Sequence, residues 1–157
     1  MITNNANLVT WSQTFSVGIR SIDDQHKELL NLVNDMYNHI IGDEKEERAY
    51  FRKVIKKTVK YIKVHFATEE KILKAVKSHS YFTHKKAHDY FILKVIDNIR
   101  DYERGKKINI TSFTHFLRDW ILTHIAIMDK QYFEYFKKVA IRKADERQNI
   151  DTEDIAC

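Results

Sequence analysis

The sequence predicts an all-α protein built as an antiparallel up-down-up-down four-helix bundle with an extended N-terminal arm. Zero Pro and only three Gly in 157 residues leave little turn chemistry. Apolar residues recur at steps of three and four over four long segments. The connections between those segments are short, which favours antiparallel neighbours. A chain of this length buries a core without needing disulfides, so the bundle is expected to be one domain over residues 1–139.

Residues 1–20 carry Trp11, Phe15, Val17 and Ile19 without helical spacing and read as an arm laid against the body. Ser21 has the position of an N-cap, with Asp23 and Asp24 favourable in a first turn. The first helix then shows Leu29, Leu30, Val33, Met36, Tyr37 and Ile40, with Gly42 as its stop. His26 lies one step before this stripe and faces the core.

A second helix is expected from around Glu44 to Arg48 as far as about Val76. Its stripe reads Phe51, Val54, Ile55, Thr58, Ile62, His65, Phe66, Glu69, Ile72, Leu73 and Val76. His65 and Glu69, four residues apart, are separated by about 40° around the axis and point the same way. The third helix carries Tyr81, His84, His88, Phe91, Val95, Ile99 and Tyr102 up to Gly105, again with two imidazoles on one face. Thr111 or Ser112 is placed to cap the fourth, whose stripe reads Phe113, Leu117, Trp120, His124, Ile127, Gln131 and Tyr135. Periodicity is lost near Val139, and residues 140–157 are charged and poor in large apolar groups, so a frayed, flexible tail is expected.

Composition narrows the function. The N-terminus lacks a basic region followed by an apolar run, so no signal peptide is expected. No segment approaches the roughly 18 apolar residues of a membrane span. The single cysteine, Cys157, has no internal partner, and a cytoplasmic protein that binds no membrane is expected. The formal charge is +5 and the pI is about 9.2. Much of the surplus lies on one helix as Lys53, Lys56, Lys57, Lys60 and Lys63, the spacing of a solvated face, and no nucleic-acid partner is expected.

Seven polar residues sit on otherwise apolar stripes, where they are costly unless paired or bound to a metal. His26 lies early in the first helix, His65 and Glu69 late in the second, His84 and His88 early in the third, and His124 and Asp129 in the second half of the fourth. In an up-down bundle, early in an odd helix and late in an even one are the same end, so all seven can meet at one depth. They are too many for one tetrahedral zinc. Two metals sharing both carboxylates and one solvent oxygen fit the count, with the five histidines dividing three and two. One metal is then saturated and the other keeps an open position for a small molecule. Oxygen-bridged octahedral sites with imidazole favour iron or manganese over zinc or copper.

These same residues carry a family resemblance. The run Ile22-Asp23-Asp24-Gln25-His26, the pairs His65/Glu69 and His84/His88, and the pair His124/Asp129 resemble the hemerythrin family. The opening Trp11, Phe15, Val17-Gly18-Ile19 is similar to its bacterial members. The resemblance covers roughly Trp11 to Lys138. It implies a non-haem di-iron centre, oxo- or hydroxo-bridged, that binds dioxygen reversibly for transport, storage or delivery. By position, His84, His88 and His124 would hold the saturated iron and His26 and His65 the open one, with Glu69 and Asp129 bridging. In the family, dioxygen takes the open position while the pair supplies two electrons and the bridge a proton.

An apolar wall that excludes water would protect such chemistry. Phe66, Phe91, Trp120 and Ile121 adjoin the ligand positions, and similar positions line the dioxygen pocket in the family; ordinary core packing is the plainer reading of each. His39, His79 and His115 fall outside the stripes and are not expected to bind metal. An enzyme with a Ser-His-Asp or Cys-His site is unsupported, because the only thiol is terminal and no serine stands in a nucleophile-elbow pattern. The competing readings are a di-iron oxidase, peroxidase or nitric-oxide-handling enzyme, and an oxygen sensor acting through a signalling partner. A carrier would instead serve an oxygen-consuming enzyme. Against an oxidase, the site is rich in histidine where ferritin-like sites are rich in carboxylate.

One spacing resists the pattern. The step of five from His124 to Asp129 turns about 140° in a regular helix. Either the helix widens locally by one residue, or Asp129 reaches in from the flank of the site, and the flank is the arrangement expected.

Overall fold

The computed structural model describes residues 7–40, 42–107 and 109–153, with the side chains beyond residue 144 left aside. The first six residues of the predicted arm and Cys157 lie outside the described residues. The elements are α1 (Arg20–Asn38), α2 (Glu44–Ala75), α3 (Tyr81–Glu103), α4 (Ile110–Thr123), a π-helical turn (His124–Asp129) and α5 (Lys130–Glu153). The turn joins α4 and α5 into one rod, so the chain forms the predicted four-helix bundle, α1 lying against α2 and α4, and α2 against α3. No helix among the described residues is long and apolar enough to cross a membrane.

Helix starts follow local chemistry. The Asp43 carboxylate accepts from the backbone N–H groups of Lys45 and Glu46, satisfying donors that the first turn of α2 leaves open. Asn109 does the same for Ser112, so the cap of α4 precedes the expected Thr111 or Ser112. Ser21 is likewise not a cap: α1 begins at Arg20, after Ile19, without a side-chain cap. Its first turn is instead tied to the arm. The Asp23 carboxylate accepts from Val17 N–H at 2.8 Å and from the Ser16 hydroxyl at 2.7 Å.

The arm is pinned again where Asn34 exchanges two hydrogen bonds with the backbone of Val9, at 3.0 and 2.8 Å. Val9, Phe15 and Val17 are buried, and Trp11 and Ile19 pack against buried clusters. Between α2 and α3 the chain turns through Lys77, whose φ of 51° is left-handed. The N–H groups of Lys77 and Ser78 reach back to the carbonyls of Lys74 and Leu73, the pattern of a Schellman stop. That stop sets the short turn that places His84 opposite Glu69.

Two apolar clusters fill the bundle. The larger includes Leu29, Phe51, Phe66, Phe91, Leu117, Trp120, Ile121 and Ile125. The smaller consists of Val17, Ile22, Leu73, Tyr132 and Phe133. Along the chain, His26 falls between Ile22 of the smaller cluster and Leu29 of the larger, Glu69 between Phe66 of the larger and Leu73 of the smaller, and Asp129 between Ile125 of the larger and Tyr132 of the smaller. A polar layer is therefore sealed from both directions. Lys53, Lys56, Lys57, Lys60 and Lys63 are all exposed, on the outer faces of α2.

The last rod departs from the expected pattern. With a regular helix, Ile127, Gln131 and Tyr135 would continue the stripe. Ile127 and Tyr135 are instead 52 % and 39 % exposed and Gln131 is exposed, while Asp129, Tyr132 and Phe133 are buried. The π turn inserts one residue and moves the buried set by one position. Helix also continues through Glu153, where an irregular tail was expected from residue 140. No Pro or Gly interrupts the run Lys130–Glu153, and its Lys, Arg, Glu, Gln and Ala are good helix formers.

Candidate metal centre

The seven candidates meet at one depth: His26, His65, Glu69, His84, His88, His124 and Asp129 are each at most 1 % exposed. The stripes of α1, α2 and α3 deliver the first five. The π turn delivers the last two, because i→i+5 pairing brings residues five apart close to one face. The flank arrangement is thus overturned in favour of local widening of the helix.

All five imidazoles turn their Nε2 atoms inward. The Glu69 carboxylate places Oε2 at 3.2 Å from His84 and from His88, and at 4.0 Å from His124. Its other oxygen, Oε1, lies 3.3 Å from His65 and 3.8 Å from His26. Asp129 repeats the division, with Oδ1 at 3.1 Å from His124 and 3.3 Å from His84, and Oδ2 at 3.1 Å from His26. Two groups that could hold a metal ion result, Glu69-His84-His88-His124 and His26-His65-Glu69-Asp129, the ligand atoms of each lying within 4.8 Å of one another.

Buried polar atoms normally have hydrogen-bond partners. Here Nε2 of His26 and His65, Oε1 of Glu69 and both carboxylate oxygens of Asp129 have none. They converge on the space between the helices, and their mixture of imidazole nitrogen and carboxylate oxygen is a donor set for a first-row metal. The residues present fit a pair of such ions.

Charge in this layer is balanced by protons when no metal is bound. Burial pushes the His26 imidazolium down, but the close carboxylates of Asp129 and Glu69 outweigh it and hold the group up at about 9. His124 is likewise opposed by burial and held at about 9, chiefly by Asp129. At His65 burial wins and brings the group down to about 4. Burial opposes ionisation of both carboxylates, yet the surrounding imidazoles keep Glu69 well below the usual carboxylate range and Asp129 below it.

Among the described residues Gln25, Glu70, Tyr61 and Tyr132 also touch the site, and of these only Tyr61, on the same face as His65 and Glu69, has a periodic signal that could mark it. Gln25 Oε1 accepts from Nδ1 of His65 at 2.8 Å, and Glu70 Oε1 from Nδ1 of His88 at 3.2 Å. Tyr61, four residues before His65, stacks on that imidazole with ring centroids 4.8 Å apart. Tyr132 lies 5.9 Å from His84. Both tyrosine hydroxyls are buried without a partner. Burial and the two carboxylates push both phenols up, so they keep their protons.

The four apolar candidates sit in the larger cluster. Phe66 stacks on His88 at 3.7 Å and Trp120 on His124 at 4.2 Å, both on the three-histidine half. Phe91 packs on Trp120 at 4.3 Å, and Ile121 is fully buried. His39, His79 and His115 are exposed and belong to neither group.

With five inward imidazoles sharing two carboxylates, a family comparison becomes decisive. Residues 17–136 match the family profile described as Hemerythrin HHE cation binding domain. The chain belongs to the hemerythrin family. It is 30 % identical over 132 residues to the bacteriohemerythrin of Clostridium acetobutylicum, covering 81 % of this chain and all of that one. It is 28 % identical to the bacteriohemerythrin of Stenotrophomonas maltophilia, covering 90 % of each. A myohemerythrin of Sipunculus nudus is 29 % identical over 78 % of this chain and 88 % of its own. A crystal structure of wild-type hemerythrin superposes with a TM-score of 0.70 at 28 % identity, over 81 % of this chain and 96 % of that one. The bundle of the hemerythrins is therefore the bundle of this chain.

Proposed function

We propose that this hemerythrin-family protein binds dioxygen reversibly at a non-haem di-iron centre, as a carrier, storage or delivery protein and not as an enzyme. The observation that carries the reading is the division of each carboxylate, one oxygen of Glu69 and of Asp129 toward the three-histidine group and the other toward the two-histidine group. His84, His88 and His124 would hold one iron and His26 and His65 the other, with Glu69 and Asp129 available to both. Two irons, when bound, supply an open coordination position and two electrons for dioxygen.

The protein's part is to orient and to exclude water. Because two histidines serve the one group and three the other, an iron held by His26 and His65 would be the one left with room for dioxygen. Of the four apolar candidates, Phe66, which lies 5.8 Å from His65 as well as stacking on His88, and Ile121 are assigned to the dry wall of the dioxygen pocket. Phe91 and Trp120 close the apolar shell behind the three-histidine half; a hydrophobic shell of this kind controls solvent access to a metal site. On the two-histidine half, the Tyr61 ring closes over His65. Five imidazoles to two carboxylates distinguish the site from carboxylate-rich di-iron oxidases, which supports a binding role.

Metal analysis joined to oxygen cycling tests this. The reduced protein is expected to carry two irons per chain and to gain an oxygen-dependent visible spectrum that disappears under vacuum over repeated cycles. Oxidation in one pass to an inert ferric form would overturn reversible binding, and turnover of peroxide would favour an enzyme.

A further inference from the structure

The two metal positions differ in what stands behind their imidazoles. With Nε2 turned to the centre, each histidine presents Nδ1–H outward. His26 and His124 leave Nδ1 buried and unpartnered. His65 donates to Gln25 at 2.8 Å and His88 donates to Glu70 at 3.2 Å. One position is thus backed by a neutral amide, the other by a carboxylate.

The carboxylate keeps its charge available to His88. Lys85, the nearest cation to Glu70, stands 3.9 Å from it and only 2.8 Å from Asp89, with which it pairs. Glu70 is 21 % exposed, so its charge is only partly screened, while the imidazole it backs is fully buried. A carboxylate accepting from a ligand histidine raises that ligand's basicity and so stabilises the higher charge on the metal. An amide oxygen fixes the ring and its tautomer but adds no charge.

We propose that Glu70 and Gln25 are positioning residues that make the two irons electronically unequal, the Glu70 carboxylate lowering the reduction potential of the three-histidine iron relative to the two-histidine iron. This rests on the di-iron reading above. The effect follows from charge, so exchanging amide and carboxylate at each position isolates it from ring orientation. Glu70→Gln retains an acceptor oxygen for His88, and Gln25→Glu retains one for His65.

The test is a mediated spectroelectrochemical titration of the iron-loaded protein, in which each iron exchanges one electron with the electrode. Glu70→Gln is expected to raise one midpoint and Gln25→Glu to lower the other. Each shift corresponds to roughly a tenfold change in a one-electron equilibrium, the lower end of the effect of outer partners on metal sites, or about 59 mV. Iron content and thermal melting of the metal-free variants are measured alongside, because a merely structural role changes these and leaves the midpoints in place. Unshifted midpoints in variants that hold two irons overturn the tuning and leave the dioxygen reading intact. Should Glu70→Gln fail to load, Gln25→Glu alone decides, an unshifted midpoint overturning the proposal. An unsubstituted protein that takes up no iron overturns both readings.

Discussion

His26 in the first helix and Asp129 in the last rod stand 3.1 Å apart, Nε2 to Oδ2, although the sequence separates them by most of the bundle. The contact closes the layer, since Asp129 also reaches His84 and His124 with its other oxygen. Asp129→Ala removes both connections. Iron content is expected to fall to one or none per chain, as elemental analysis would record. Two irons retained with normal oxygen cycling would refute the bridging role.

The π turn gives a second prediction. Deleting Ala126 removes the inserted residue and brings Asp129 to a step of four from His124, while Tyr132 and Phe133 then stand seven and eight residues after His124 and stay on the buried face. The metal-free variant is therefore expected to melt close to the unsubstituted protein, and the altered backbone between His124 and Asp129 is expected to lower its iron content. A large drop in melting temperature of the metal-free form would show that the widened turn is needed for packing as well as for the site.

Tyr61 carries a buried hydroxyl without a partner. Such a group costs about 1–3 kcal/mol. Tyr61→Phe removes it while keeping the ring on His65, so chemical denaturation of the metal-free protein should show a gain of about 1 kcal/mol. A loss would mean that the hydroxyl is satisfied by water or by a neighbour.

Ile121 is fully buried in the larger cluster. Ile121→Ala leaves a cavity and is expected to cost about 2–5 kcal/mol. If Ile121 walls the dioxygen pocket, the loaded variant should also autoxidise faster. Destabilisation with an unchanged autoxidation rate would assign it to packing alone.

The pH dependence of the metal-free protein follows from its histidines. His26 and His124 titrate at about 9 in the fold against 6.5 for the free group. Their stabilising pairing is fully present below pH 6.5 and is lost as pH rises through about 9. His65, lowered to about 4, acts in the opposite sense and costs stability as pH falls from 6.5 toward 4. Melting temperature should therefore peak near neutrality and fall on both sides. Iron must displace the protons on His26 and His124. Proton release on loading, measured by pH-stat near pH 7, checks this, and its absence would place those imidazoles in the neutral form.

Much of this arrangement was legible in the sequence because helical period places side chains before any contact is known. His26, His65, Glu69, His84, His88 and His124 lie on apolar stripes, and the alternation of an up-down bundle brings them to one end. Asp129 showed the limit. Its step of five conflicted with the regular helix, and period alone offered two resolutions of which the wrong one was preferred. The same omission carried the stripe on to Ile127, Gln131 and Tyr135. Gln25 and Glu70 were unreadable for another reason, since their partners are 40 and 18 residues away and no spacing connects them. Beyond residue 140 the sequence lacks an apolar face and so lacks the periodic mark of a packed helix, but propensity suffices to continue a rod already begun.

The π turn also has a bearing on how the rods find their alignment. Two uniformly striped helices can slide past each other by a full turn and still match greasy face to greasy face, at little cost in buried area. A rod with one widened turn partway along has no such freedom, because the local bulge fits its neighbours at only one longitudinal setting. The irregularity that supplies Asp129 therefore serves as an index mark, and it lies at the height where five imidazoles from four rods have to agree.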